Sequence, residues 1–288
     1  MSSKKVVDIV RNVPPHWVGD GFPVRSLFSY ADRPERTDPF LLFDYAGPAQ
    51  FEPAKKRRGV EKHPHRGFET VTIVYQGELS HRDSGGHAGN IGPGDVQWMT
   101  AASGVVHEEF HSERFTRMGG QFEVVQLWVN LPAREKMSKP RYQEILAAQI
   151  PTVKLPADSG GVRVIAGELE GTRGPAKTVT PVNVWDMFLH AGSTVELPIP
   201  KGHSTMVVVQ KGRVMIRDDT LVGVQLAHMD REGDKVKLNA VVNSQLVVLT
   251  GEPLNEPIVG HGPFVMNSRE EISEAIRDYQ AGKMGMLR

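Results

Sequence analysis

The chain has 288 residues, of which 39% are hydrophobic and 24% are charged, a composition that fits a soluble globular protein of one or two domains and argues against disorder. Lysine plus arginine and aspartate plus glutamate both number 34, so a formal net charge of zero predicts no direct binding to nucleic acid or to an anionic membrane. Cysteine is absent, which excludes disulfides, thiolate metal sites and cysteine nucleophiles and leaves histidine and carboxylate side chains as metal ligands.

Short β-branched runs separated by turns predict a chain that is mostly strand. The 29 glycines and 20 prolines make turns frequent. Runs of this length and composition, bounded by Gly, Pro or Asn, are typical of strands, and their number predicts a sandwich or a barrel. In chain order the clearest predicted strands are Thr70–Tyr75, Val124–Asn130, Thr205–Gln210 and Gln245–Thr250.

Helical periodicity is clear only near the C-terminus. Ser268 and Glu271 have capping-box spacing, and Gly282 suits the end of a helix. Within that segment we expect three side chains to pack against a barrel: Ile272, Ile276 and Tyr279. A weaker helical pattern covers residues 141–149.

A polar, proline-rich stretch near residues 133–160 separates two strand-rich segments that echo each other. A turn with Gly77 follows the first predicted strand as a turn with Gly212 follows the third, and Gly94–Asp95 is matched by Gly233–Asp234. The sequence therefore predicts two copies of one β-fold. The predicted domains are residues 1–140 and residues 141–288, the second including the C-terminal helix.

Two ligand-type doublets lie about 40 residues apart. His63 and His65 fall in EKHPHRGFE, and His107 and Glu109 fall in SGVVHEEF. On extended backbone each doublet points to one face, so two such strands side by side would present three imidazoles and a carboxylate to one centre. That set suits iron, manganese, nickel, copper or zinc with a coordination position left open. Glu69 has the parity of His65 and is the alternative carboxylate ligand.

Longer motifs resemble a known family. Gly59, His63-x-His65-x-x-x-Glu69 and Gly77 resemble the first cupin motif, and Gly94 with Gly104-x-x-His107 resembles the second. The specific similarity, from about residue 10 to about residue 281, is to the pirin family. It is carried by HPHRGFETV (63–71), PGDVQWMTA (93–101), GVVHEE (104–109), LWVNLP (127–132) and HGPFVMN (261–267).

The resemblance implies an all-β bicupin: two stacked antiparallel β-barrels of the double-stranded β-helix or jelly-roll type, with a C-terminal helix. It implies one mononuclear iron in the N-terminal barrel, with other divalent metals as alternatives. The family's ligands fall on His63, His65, His107 and Glu109. Glu69 then supports a ligand rather than binding the metal. The second half lacks the constellation, so we predict no metal site there.

Other side chains near the constellation are assigned supporting roles. His81, His87 and His111 are interpreted as surface residues or as residues behind the ligands. Trp98 and Trp128 are interpreted as barrel core rather than as a platform for substrate.

The resemblance implies two alternative functions. One is an iron-dependent quercetin 2,3-dioxygenase acting on a small, flavonol-like aromatic substrate, with Glu109 as the catalytic base. The other is a redox-sensing, metal-dependent module that binds a protein partner and regulates transcription or metabolism. The N-terminus lacks a signal-peptide core and no long apolar run occurs, so we expect a cytoplasmic location without a membrane span, and also a nuclear one if the source is eukaryotic.

Overall fold

A computed structural model describes residues 2–287. Strands make up 53% of these residues and helices 11%, which confirms the predicted all-β class. Among these residues, no helix has the length and apolar character needed to cross a membrane.

The strands contain the β-branched runs identified in the sequence. In chain order they are β1 (Val6–Val10), β2 (His16–Val18), β3 (Phe22–Ser29), β4 (Phe40–Phe51), β5 (Gly59–His65), β6 (Phe68–Gln76), β7 (Leu79–Asp83), β8 (Ala88–Ile91), β9 (Val96–Thr100), β10 (Val105–His111), β11 (Gly120–Asn130), β12 (Arg141–Ile145), β13 (Thr152–Lys154), β14 (Gly160–Ala166), β15 (Glu168–Leu169), β16 (Thr172–Arg173), β17 (Val182–Leu189), β18 (Thr194–Pro198), β19 (Ser204–Lys211), β20 (Arg213–Ile216), β21 (Asp219–Val222), β22 (Gln225–Met229), β23 (Lys235–Ala240), β24 (Ser244–Gly251), β25 (Val259–His261) and β26 (Phe264–Met266). The helices are α1 (Pro34–Thr37), α2 (Glu113–Met118) and α3 (Arg269–Gln280), with 3₁₀ turns at Ala133–Glu135, Ala147–Gln149 and Pro156–Asp158.

The chain forms two compact units, here called the first and second barrel. The first barrel comprises Pro14–Pro34, Phe40–Ala147 and the chain from Asn255 onward. The second comprises the chain up to Val13, Glu35–Pro39 and Ala148–Leu254. A single division between residues 140 and 141 does not describe this arrangement, because each terminal segment lies in the unit formed mainly by the other half of the chain.

Each barrel pairs a seven-stranded sheet with a four-stranded sheet. In the first barrel the orders are β12-β9-β6-β11-β4-β3-β2 and β5-β10-β7-β8, and in the second they are β1-β22-β19-β24-β17-β14-β13 and β18-β23-β20-β21. The five central strands of the larger sheets correspond one to one, so the internal echo does reflect two copies of one fold. The matched turn glycines, Gly77 and Gly212, have φ values of 87° and 92°, a left-handed conformation that glycine adopts without steric cost.

The interiors of the two barrels differ in polarity. In the second barrel, β18 and β23 contribute apolar side chains to one continuous core: Val195, Leu197, Val236, Leu238 and Ala240. In the first barrel a comparable apolar cluster, which includes Phe22, Phe51 and Phe122, fills only part of the interior. The rest of that interior holds buried polar and titratable side chains.

The C-terminal helix begins as the sequence predicted. The side chain of Ser268 accepts a hydrogen bond from the backbone of Glu271, and the Glu271 side chain accepts one from the backbone of Ser268. The buried stripe is formed by Ile272, Ala275 and the partly buried Ile276, which pack in a cluster with Val106. Tyr279 packs less closely than predicted: it is 39% exposed, although its ring lies 6.4 Å from that of Phe264.

The weak helical pattern at residues 141–149 was also misleading. Arg141–Ile145 forms β12, which pairs with β9 at the edge of the larger sheet, and only Ala147–Gln149 makes a short 3₁₀ turn. Pairing with a neighbouring strand outweighs local helix propensity in this segment.

Candidate metal centre

Neighbouring strands bring the three histidines of the two doublets together. β5 and β10 pair antiparallel, with His107 opposite His63 and Val105 opposite His65. The ring centroid of His63 lies 4.2 Å from that of His107 and 4.8 Å from that of His65. The centroids of His65 and His107 are also 4.8 Å apart. One nitrogen from each ring lies within 4.8 Å of the others, which is close enough to surround one ion.

The hydrogen bonds of these rings leave lone pairs available for a metal. The Nδ1 atom of His63 lies 2.8 Å from the carbonyl oxygen of Glu61 and must donate to it, so Nε2 of the neutral ring carries the lone pair. The Nε2 atom of His107 is buried and makes no hydrogen bond within the described part of the chain. A buried lone pair without a donor is what a metal ion would satisfy.

Burial keeps two of the rings uncharged. It lowers the pKa of His107 well below its ordinary value, and the neighbouring imidazoles of His63, His65 and His81 lower it further. Burial and then His63 likewise lower the pKa of His65. Both rings are therefore neutral near pH 7, which is the form that binds a metal.

The carboxylate of Glu109 belongs to a second, overlapping group. Glu109, His81 and His107 each offer a ligand atom within 4.8 Å of the others. Glu109 is 7% exposed, and one of its oxygens lies 3.3 Å from the hydroxyl of Thr72. The four predicted ligands are therefore divided between two groups that share His107, and His81 completes the second.

Glu69, the alternative ligand, faces away from these groups. On β6, Phe68 contacts the ring of His65 and Thr72 contacts Glu109, so the alternation of the strand turns Glu69 to the opposite face. There its carboxylate accepts a hydrogen bond of 2.7 Å from Thr100. The sequence predicted that Glu69 faces the same way as His65, and this was wrong. Gly67, with φ of 93°, separates their two strands, which belong to different sheets.

His81 is the site residue that sequence analysis undervalued. It lies on β7 opposite Glu109 of β10, and its side chain is only 1% exposed. The ring of Tyr142 stacks on it with centroids 5.1 Å apart. The alternation Leu79, His81, Asp83 between turn glycines was the available signal, since it predicts a strand with one buried face.

His111 lies in the interior as well, but in an apolar part of it. Its ring contacts four phenylalanines, among them Phe51 and Phe122 with centroids at 4.6 Å in both cases. Its Nε2 atom donates to the carbonyl oxygen of Gly21 at 3.0 Å. Burial lowers the pKa of His111 to about 4, so it is a neutral core residue. His87, in contrast, has a side chain that is 43% exposed.

An aromatic wall lies next to the histidines. Phe68 and Trp128 stack with centroids 4.3 Å apart, and their centroids lie 5.2 Å and 5.3 Å from that of His65. Tyr30 continues the wall, with its ring 6.4 Å from Trp128 and nearly parallel to it. Trp128 is partly exposed, so it does not belong wholly to the core as predicted, whereas Trp98 is fully buried.

Comparison with known proteins identifies the family. The Pirin family model matches residues 21–129, and the model of the Pirin C-terminal cupin domain matches residues 184–285. A Pseudomonas aeruginosa protein provisionally named quercetin 2,3-dioxygenase is 58% identical over 280 residues, which cover 97% of this chain and 98% of that one. The chain belongs to the pirin family.

Other pirin relatives span nearly the whole chain. Human pirin is 41% identical over 264 residues, covering 89% of this chain and 87% of its own. A crystal structure described as quercetin 2,3-dioxygenase from Acinetobacter baumannii is 52% identical, with a TM-score of 0.97 and full coverage of both chains. Membership of the pirin family confirms the two-domain cupin fold. Together with the histidine and carboxylate cluster it indicates a metal site in the first barrel.

Proposed function

We propose that this pirin binds one iron ion through His63, His65, His107 and Glu109 and acts as a dioxygenase on flavonol-like aromatic enols. The observation that carries the proposal is the convergence of three imidazoles, with ring centroids 4.2–4.8 Å apart, beside an aromatic wall. The names of the Pseudomonas and Acinetobacter relatives support the same activity.

The donor set fits iron. Imidazole and carboxylate ligands suit that metal, and four protein ligands leave room for further ligands at a six-coordinate centre. When bound, iron would supply Lewis acidity toward an enol oxygen and redox chemistry with O2. The protein residues have the separate tasks of holding the ion, binding the substrate and moving a proton.

Substrate binding falls to the aromatic wall. Phe68 and Tyr30 stack on Trp128, so its partly exposed ring offers an edge to a planar flavonol. Edge-to-face contact between aromatic rings contributes about 0.5–1.5 kcal/mol beyond the burial of area. A substrate in contact with that edge would lie beside His65, and thus next to the proposed metal ligands.

Proton transfer falls to Glu109. Carboxylates can accept protons, and Glu109 is the carboxylate that offers a ligand atom in one group with His81 and His107. The hydroxyl of Thr72 lies 3.3 Å from an oxygen of Glu109, and its single hydrogen is shared with the closer oxygen of Gln126 at 2.6 Å. Glu109 would take the hydroxyl proton of the enol.

The test measures O2 consumption with quercetin, using metal-free protein and protein loaded anaerobically with Fe2+. We expect uptake only in the iron-loaded protein, with a strong loss in Glu109→Gln and a raised KM in Trp128→Leu. Glu69→Gln is the matched control, because Glu69 lies on the other face of its strand. Iron binding without O2 uptake would reject the enzyme and favour the alternative of a metal-dependent binding module.

A further inference from the structure

A chain of hydrogen bonds runs behind His107, on the side away from His63. The Nδ1 atom of His107 lies 3.4 Å from Nδ1 of His81, and Nε2 of His81 lies 3.4 Å from Oδ2 of Asp83. The side chains of His81 and Asp83 are 1% and 2% exposed. β7 and β10 create this arrangement, because their antiparallel pairing sets Asp83 opposite His107.

Asp83 determines which atoms donate in these hydrogen bonds. Its Oδ1 atom accepts from the backbone nitrogens of Gly85 at 2.8 Å and of His87 at 3.1 Å. Burial acts to raise the pKa of Asp83, but the hydrogen bonds from His81 and from the His87 backbone outweigh it and lower the pKa below its ordinary value. An ionised carboxylate only accepts, so Nε2 of His81 carries the hydrogen and donates to it.

His81 then presents a lone pair on Nδ1. The side-chain amide of Gln97 agrees with this direction, because its Nε2 atom lies 3.1 Å from His81 Nδ1 and can donate to it. Nδ1 of His107 faces the same lone pair from 3.4 Å. A hydrogen on this atom lets His107 share the acceptor with Gln97, whereas two bare lone pairs at this distance would repel each other. The neutral ring of His107 then has its lone pair on Nε2, the buried atom that makes no hydrogen bond within residues 2–287.

We propose that Asp83 and His81 are positioning residues, which hold His107 in the tautomer protonated at Nδ1 and so direct the Nε2 lone pair to the metal. The inference rests on the proposed metal site. Groups that accept the second N–H of a ligating histidine fix its orientation and tautomer, and their loss typically weakens metal binding by about 10–100-fold. Here a neutral imidazole, itself oriented by a carboxylate, is the acceptor.

Asp83→Asn tests the direction of the chain. The two backbone donors hold the oxygen of the new amide at the Oδ1 position, so its NH2 group must face His81. His81 would then accept at Nε2 and carry its hydrogen on Nδ1, against the N–H of His107. We expect His107 to change to the Nε2–H tautomer, seen in imidazole 15N shifts of metal-free protein. We expect affinity for Fe2+, measured anaerobically against a chelator, to fall about 10–100-fold.

A matched pair at position 81 keeps the test valid if Asp83→Asn does not fold. In His81→Gln the amide oxygen can accept from His107 while the NH2 group donates to Asp83, so the tautomer and the affinity should stay near those of the wild type. His81→Leu, of similar size, removes the acceptor, so the variant should lose both the Nδ1–H tautomer of His107 and the wild-type affinity for Fe2+. His87→Gln is a control, since His87 contacts Asp83 but not His107.

Three outcomes separate the proposals. An unchanged His107 tautomer and unchanged affinity in Asp83→Asn would overturn the positioning role, as would equal behaviour of His81→Gln and His81→Leu. Failure of the wild type to bind Fe2+ would instead overturn the proposed function. The tautomer measurement needs no metal, so it still decides in that case whether Asp83 and His81 set the state of His107.

Discussion

Glu109 and Glu69 lie on opposite sides of the same barrel wall. Glu109 contacts the hydroxyl of Thr72 at 3.3 Å. Glu69 precedes Thr72 by three residues on the same strand, so it faces the other way and accepts from Thr100. Both carboxylates are buried, and only that of Glu109 shares the interior with the histidines. The two glutamates therefore form a matched pair for testing which one binds metal.

Glu109→Gln should lose metal more readily than Glu69→Gln. The first change replaces an anionic donor by a neutral one beside a divalent cation, and the second changes a carboxylate that lies outside the cluster. The measurement is metal content after identical dialysis of the wild type and both variants. A greater loss from Glu69→Gln would mean that the site follows the general cupin scheme and that Glu109 is not the ligand.

Removal of the metal should lower the melting temperature of the first barrel. An ion that binds only the folded protein stabilises it by about 2.7 kcal/mol when its free concentration is 100 times the Kd. Calorimetry before and after chelation, with Fe2+ added back anaerobically, measures this difference. His107→Gln should melt at the same temperature with and without the ion, and an equal response of this variant would contradict a role for His107.

Local sequence patterns predicted the strands and the repeated fold. Val124–Asn130 and Gln245–Thr250 lie within β11 and β24, which occupy the same place in their two sheets. The runs are β-branched and end in turns, so residues close together in the sequence are enough to predict these strands. The two ligand doublets, His63 with His65 and His107 with Glu109, could be predicted for the same reason, because the alternation of side chains along a strand is a local property.

The rest of the site depends on contacts between distant parts of the chain. Tyr142 stacks on His81 from a segment whose local pattern suggested a helix, and only pairing with β9 makes that segment a strand. The face on which Glu69 lies is set by the turn at Gly67 between two sheets. Local periodicity predicts neither the contact of Tyr142 with His81 nor the face of Glu69, because both depend on which strands become neighbours.

The helix α3 should stabilise the first barrel through Ile272 rather than through Tyr279. Ile272 is 7% exposed and Tyr279 is 39% exposed. Ile272→Ala should cost about 2–4 kcal/mol of unfolding free energy, as is usual for a buried isoleucine, whereas Tyr279→Ala should cost less than about 1 kcal/mol. Urea unfolding of both variants measures the difference. Equal effects would show that Tyr279 packs as closely as Ile272, against its greater exposure in the structure.

Acid should destabilise the metal-free protein partly through His111. The folded protein holds the pKa of His111 at about 4, whereas an exposed histidine titrates near its ordinary value of about 6.5. Between these values the unfolded chain binds more protons than the folded one. The stability that His111 contributes is therefore fully present above pH 6.5 and is lost as the pH falls toward 4.

His111→Gln isolates this contribution. The glutamine amide can still donate to the carbonyl of Gly21, but it does not titrate. In the wild type His111 should account for roughly 2 kcal/mol of the stability lost between pH 7 and pH 5, since each pKa unit corresponds to about 1.4 kcal/mol. Urea unfolding at both pH values, after chelation, should show a correspondingly smaller loss in the variant. Part of the pH dependence should remain, because burial also lowers the pKa of His65 and His107. The same loss in the variant as in the wild type would mean that His111 titrates in the folded protein as it does in the unfolded chain.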